Sequence, residues 1–205
     1  MRITKILLAA AAVVALTLPA TGPATAAAGD ILIRLRAVGV IPDMSDNIPG
    51  LVVGGDGNVV PEIDGTYFLT DHFALELIAA TTKHTIKADG VGQLGSVWLL
   101  PPTLTAQYHF DPEGAFRPYI GAGVNYTIFY GGQDTGVIPA HVGYTNNFGW
   151  ALQAGADIPI GSNGLFLNVD LKHIFLSTDV KLAGAKIGSA NIDPWLIGVG
   201  IGIKL

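Results

Sequence analysis

The chain has 205 residues, of which 50% are hydrophobic and only 13% charged, with 27 glycines and no cysteine. A formal charge of −5 excludes an electrostatic nucleic-acid binder, and the apolar content excludes a disordered chain. The lack of cysteine excludes disulfides, thiolate metal sites and a cysteine nucleophile.

The first segment reads as an export signal. Arg2 and Lys5 precede an apolar run from Ile6 to Leu18, and the overlapping triplets Ala24-Thr25-Ala26 and Ala26-Ala27-Ala28 offer small-residue cleavage sites. Pro19 ends the run short of the ~20 apolar residues that a spanning helix needs. Residues 1–28 are therefore expected to be a signal peptide and 29–205 a single exported domain.

Beyond Gly29 the dominant pattern is alternation with period two. Ile31, Ile33, Leu35 and Ala37 share one face opposite Arg34 and Arg36; Leu165, Leu167, Val169 and Leu171 oppose Asn168, Asp170 and Lys172. Eight strands are predicted near 30–40, 59–68, 73–82, 102–110, 116–130, 147–158, 165–176 and 194–205. Connections after the second, fourth and sixth strands are short. Those after the first, third, fifth and seventh (roughly 41–58, 83–101, 131–146 and 177–193) read as long loops. This predicts an all-β fold, an eight-stranded antiparallel transmembrane β-barrel, with both termini at the periplasmic end.

The faces are assigned by charge. Arg34, Arg36, Glu62, Asp64, Glu76, Arg117, Asp157, Asp170, Lys172 and Lys204 all fall opposite the apolar face, so they are expected to interlock inside the lumen as a polar plug. Glycines 121, 123, 149, 155, 198, 200 and 202 share that face and suit a crowded interior. On the apolar face, Tyr67, Phe73, Tyr108 and Phe116 cluster towards one end of the strands; Tyr126, Tyr130, Trp150 and Trp195 cluster towards the other. Two such bands match the interfacial aromatics of a lipid-facing wall. Above Glu76 the inward positions become apolar: Ile78, Ala80 and Phe129, joined by Trp98 and Leu100 from the loop before the fourth strand. These predict a hydrophobic vestibule open to the outside.

Several segments resemble the OmpW family of small outer-membrane barrels, including AlkL-like proteins. They are Leu100-Pro101-Pro102-Thr103-Leu104, the run Phe116-Arg117-Pro118-Tyr119-Ile120-Gly121-Ala122-Gly123 continuing to Thr127, and Asp193-Pro194-Trp195. The resemblance implies an eight-stranded barrel with a narrow hydrophobic channel that passes small hydrophobic compounds. It also implies a bulky aromatic inside the seventh strand, where Lys172 stands, and the chain ends in Ile203-Lys204-Leu205 rather than the aromatic many such barrels present to the outer-membrane assembly machinery.

The expected function is passive passage of small hydrophobic molecules: capture in the vestibule, arrest at the plug, and lateral exit where Pro61, Pro101-Pro102 and Pro118 interrupt strand pairing. The alternative is a structural or adhesive barrel whose long loops bind partners. Expected partners are outer-membrane lipid and lipopolysaccharide, hydrophobic solutes and the assembly machinery, with no nucleic acid. Five scattered histidines have no ligand spacing and no nucleophile–base–acid trio stands out, so neither a metal, a cofactor nor an enzyme is expected.

Overall fold

The computed structural model describes residues 27–46, 53–55, 57–88, 92–137, 141–161 and 163–205. The expected signal peptide, apart from Ala27 and Ala28, lies outside the described residues. So do Asp56 and Asp89 of the glycine-rich loops.

In chain order the strands are β1 (Ile31–Ile41), β2 (Ser45–Asp46), β3 (Val53–Gly55), β4 (Asn58–Phe68), β5 (Phe73–Ala80), β6 (Thr82–Ala88), β7 (Gly92–Leu100) and β8 (Thr103–His109). They continue with β9 (Arg117–Asp134), β10 (Val142–Tyr144), β11 (Asn147–Pro159), β12 (Leu165–Phe175), β13 (Ser177–Leu182), β14 (Ala185–Asn191) and β15 (Trp195–Lys204). Eight of them close on themselves in the order β11-β12-β15-β1-β4-β5-β8-β9, with β9 returning to β11. Every neighbouring pair is antiparallel. Closure gives each barrel strand a neighbour on both sides, as a strand-built membrane span requires.

Alternating burial follows the alternating sequence. In β12 Leu165, Leu167, Val169, Leu171 and Phe175 point outward and are exposed, while Phe166, Asn168, Asp170 and Lys172 are buried. The wall is therefore apolar outside and polar inside, the inverse of a water-soluble barrel. Aromatic side chains ring it at two heights. At the terminal end Phe73, Tyr108 and Phe110 pack edge to face, with Tyr67 and Phe116 exposed nearby. At the distal end Tyr126 packs on Phe148 and His173 stacks on Trp195, with Trp150 exposed among them. Phe116, just before β9, and Tyr126 within it sit ten residues apart, about 25 Å of height at ordinary strand rise and tilt, which matches the apolar band of outer-membrane barrels.

The expected long loops are a correction. Among the described residues, 83–88, 92–100, 131–134, 142–144, 177–182 and 185–191 continue as sheet beyond the barrel. β9 runs unbroken for 18 residues, pairing with β8 and β11 below and with β7 above. β7 carries β6 and then β3. A second sheet, β10-β13-β14-β2, rises opposite. Ile86, Leu94, Val97, Leu99, Val180 and Ala190 form the apolar core between the two, with Met44, Phe129, Val142 and Tyr144 packed against it.

Candidate functional site

The lumen is built in layers, set by which residue of each strand faces inward at each height. At the terminal end Leu32, Phe68, Ala74 and Phe166 form a buried apolar stopper. The His109 ring lies between Phe68 and Tyr119, with centroids at 4.7 and 5.0 Å.

Above this stopper lies the polar plug. Arg34 and Arg36 on β1 sit in register with Asp64 and Glu62 on β4. On their other side they face Gly202 and Gly200 of β15, where an added Cβ would strike Phe166 in one case and the Leu35–Arg36 backbone in the other. The missing side chains leave room for two guanidinium groups within one narrow section. Arg34 Nη1 lies 3.0 Å from Asp64 Oδ1, and Nη2 reaches across the lumen to Asp157 Oδ2 at 2.8 Å. Arg36 binds Glu62 at 2.8 Å, Asp64 at 2.7 Å and Glu76 at 3.0 Å. Lys172 Nζ stands farther from its acidic neighbours, 3.6 Å from Asp170 Oδ1 and 4.0 Å from Glu62 Oε2. Multiple charge-assisted contacts are what make so many buried charges tolerable.

Eight of the ten expected inward charges are thus joined in one network. Arg117 takes a lower place, opposite Asp157 in the β9–β11 register, with its Nε donating to the Gly114 carbonyl at 3.0 Å. Lys204 is a correction: its ammonium lies 2.7 Å from Asp30 at the terminal rim, and its side chain is about a fifth exposed. The strand ends there, so a long side chain reaches water rather than the plug.

Neutral groups that charge counting overlooked complete the network. Gln153 donates to Glu76 at 2.9 Å and Asp170 at 2.7 Å; Thr105 donates to Glu76 at 3.0 Å. Tyr119 donates its hydroxyl proton to Asp170 at 2.9 Å, and Asn168 donates to Asp157 at 2.8 Å. Gln153, Asn168 and Tyr119 each share inward parity with a charged residue on their own strand, which is the signal that marks them; β8 carries no such charge beside Thr105.

Over the plug the lining turns apolar in two adjoining cavities. The lower encloses about 650 Å³ of atom-free space, part of it open to solvent, between Val38, Val40, Val60, Ile78, Ala80 and Leu196 among others, with Glu62 and Lys172 at its floor. The upper encloses about 790 Å³ on the same measure between the two distal sheets, lined by Ile86, Leu94, Val97, Phe129, Val180 and Ile187 among others. His84, Leu99 and Ile192 line both. Burial pushes the Tyr144 phenol on the upper wall up to about 12, so it remains a neutral hydrogen-bonding group.

Of the expected vestibule residues, Ile78 and Ala80 line the lower cavity and Phe129 the upper. Trp98 and Leu100 line neither and are corrected. The segment holding them is a strand, and period two turns Leu99 inward and its two neighbours outward. Trp98 instead stacks on Tyr130 at 6.2 Å on the outer face, under the Lys83 ammonium. All six expected interfacial aromatics, Tyr67, Phe73, Tyr108, Tyr126, Trp150 and Trp195, fall on the outward parity of their strands.

The wall beside the lower cavity is interrupted. The β4–β5 ladder ends at Glu62↔Ala80 and the β5–β8 ladder at Ile78↔Thr103; pairing resumes with β6–β7 at Thr82↔Leu99. Pro61, Pro101 and Pro102, which have no amide hydrogen to donate, lie around this seam. Pro118 does not: it is paired in register with Ala156 low in the wall.

The family model for the OmpW family matches residues 27–205. The chain belongs to the OmpW family. It is 43% identical to an uncharacterized outer-membrane protein, y4mB, of Sinorhizobium fredii, over 93% of this chain and 88% of that one. It is 30% identical to the dibenzothiophene metabolism operon protein PahQ of Pseudomonas aeruginosa, over 76% of this chain and 75% of that one. Among solved structures, the outer membrane protein OprG of Pseudomonas aeruginosa superposes with a TM-score of 0.81 at 26% identity, covering 89% of this chain and 99% of that one. This OmpW-family chain is an integral outer-membrane β-barrel.

Proposed function

We propose that this OmpW-family barrel passes small hydrophobic molecules into the outer membrane. They enter the upper cavity from outside, descend to the plug and leave sideways through the seam, with both termini periplasmic. One observation carries this reading: an apolar cavity ends on a filled polar section and abuts a place where the wall lacks a ladder. Val60 on β4, Ala80 on β5 and Thr82 on β6 line the cavity on both sides of that seam. A plugged lumen gives an apolar solute no path straight down, because entering the ion-pair network would strip it of favourable contacts and break paired charges. Acyl chains beyond the seam offer an environment matching the cavity's own. The name of the relative PahQ refers to dibenzothiophene, an apolar aromatic compound, and it supplies a probe of suitable chemistry.

The test is uptake of dibenzothiophene by cells carrying or lacking the protein. Faster uptake with the protein, abolished when the upper cavity is filled, supports the reading. Equal uptake removes it and favours an adhesive barrel, in which lumen substitutions are silent and distal ones are not.

A further inference from the structure

The lower cavity has a floor of different chemistry from its walls. Its other polar lining groups are occupied by protein: Thr82 bonds to His84 at 3.2 Å, Thr103 donates to the Pro101 carbonyl at 3.0 Å, and Thr127 donates to Asn125 at 2.7 Å. Lys172 and Glu62 differ. The Lys172 side chain is only 2% exposed, yet its nearest carboxylate oxygens among the described residues stand at 3.6 and 4.0 Å, beyond a proper ammonium hydrogen bond. Glu62 Oε1 lies in ion-pair contact with Arg36 Nε at 2.8 Å, and Oε2 faces Lys172, 4.0 Å away. The floor thus offers a strong donor and a strong acceptor, separated by more than one hydrogen bond and less than two.

We infer that this floor is a binding site for the hydroxyl head of an amphiphile, a medium-chain alcohol or similarly hydroxylated hydrocarbon, with its tail running up the apolar cavities. The inference rests on the passage reading above and names a ligand class for the same lumen. An oxygen about 2.8 Å from both Nζ and Oε2 fits the 4.0 Å gap, accepting from the ammonium and donating its proton to the carboxylate. A pure alkane satisfies neither group. A carboxylate head satisfies only Lys172, and it meets the network's five carboxylates, Glu62, Asp64, Glu76, Asp157 and Asp170, against its two further cations, Arg34 and Arg36, so charge opposes it. A hydroxyl is the head group that both accepts and donates without adding charge.

The experiment measures binding of 1-dodecanol, dodecane and dodecanoate to the folded protein in lipid bilayers by competition, alongside uptake of each into cells. Binding of 1-dodecanol about 10-fold tighter than of the other two is expected, from two hydrogen bonds to charged groups. Lys172→Met and Glu62→Gln should each erase that preference, and Lys172→Arg should restore part of it. Equal binding of the three by the wild-type protein overturns the inference, a result that needs no variant to fold. Dodecanoate binding tighter than 1-dodecanol overturns it as well. Dodecane uptake that is independent of the protein defeats the passage reading instead, so the two failures are distinguishable.

Discussion

Arg34 and Asp157 meet across the lumen, not along the wall. Nη2 and Oδ2 are 2.8 Å apart and Nε donates to Oδ1 at 3.2 Å, although β1 and β11 are separated by β15 and β12. A two-point contact of this kind braces opposite sides of the barrel. Asp157→Ala leaves a buried guanidinium short of a partner and is expected to cost about 3–5 kcal/mol of stability. The urea midpoint of the folded protein in lipid reports it, and Asp157→Asn should lose less.

Gly155 and Gly198 provide a matched pair. A Cβ at Gly155 would collide with the ring and hydroxyl of Tyr119, whose proton holds Asp170, while one at Gly198 meets nothing nearer than 3.4 Å. Gly155→Ala should therefore destabilise by about 1–3 kcal/mol, and Gly198→Ala should stay close to wild type. Denaturation midpoints of the two variants decide the point.

Leu152 lies outward, 54% exposed, opposite Ala122 midway up the wall. Leu152→Arg places a charge among acyl chains and is expected to cost about 2–4 kcal/mol. A smaller loss for Trp150→Arg, at the interfacial band, would confirm the height assigned to each. Equal losses would contradict it.

Leu99 lines both cavities while Trp98 faces outward. Leu99→Trp should reduce dibenzothiophene uptake several-fold by filling the passage, and Trp98→Ala should leave it unchanged. A cysteine pair at Asn58 and Lys83, where the Asn58 side-chain amide donates to the Lys83 carbonyl at 3.4 Å across the seam, should slow uptake when oxidised and restore it on reduction.

Asp134 and His141 tie the distal end of β9 to β10. His141 Nδ1 lies 2.7 Å from Asp134 Oδ2 and the Val142 amide donates to Oδ1 at 3.2 Å. The His141 hydrogen bond, then the amide, hold the Asp134 carboxyl below the usual aspartate range. A lowered folded value means that this stabilisation is present above the ordinary aspartate pKa and is lost as pH falls through the lowered one. Hydrogen exchange at Val142 should stay protected at mildly acidic pH and loosen only in stronger acid. Asp134→Ala, which removes the acceptor, should expose it at every pH.

The barrel was legible because its strands alternate without interruption; the boundaries of β4, β11 and β12 fall within a residue of those read from the sequence. The distal sheets were not. The β7–β9 ladder shifts register between Ser96 and Trp98, and the β13–β14 ladder between Val180 and Lys181. A bulge of that kind resets the parity on which the reading depends. Trp98-Leu99-Leu100 then looks uniformly apolar, and only the pairing reveals that Leu99 faces in. The plug's ions were legible because a charge on a membrane strand has one tolerable side. Gln153, Asn168, Thr105 and Tyr119 carry no such penalty, so charge counting passed over them.

The two chain ends lie side by side: β1 and β15 are in register over ten residue pairs, and the Leu205 amide bonds to the Ile31 carbonyl at 2.9 Å. The last ribbon made is therefore the keystone between the first and β12. Until it arrives, the guanidinium groups of β1 have no enclosed chamber and two open margins remain available for misassociation. Closure of the barrel accordingly awaits β15, which seats between β12 and β1.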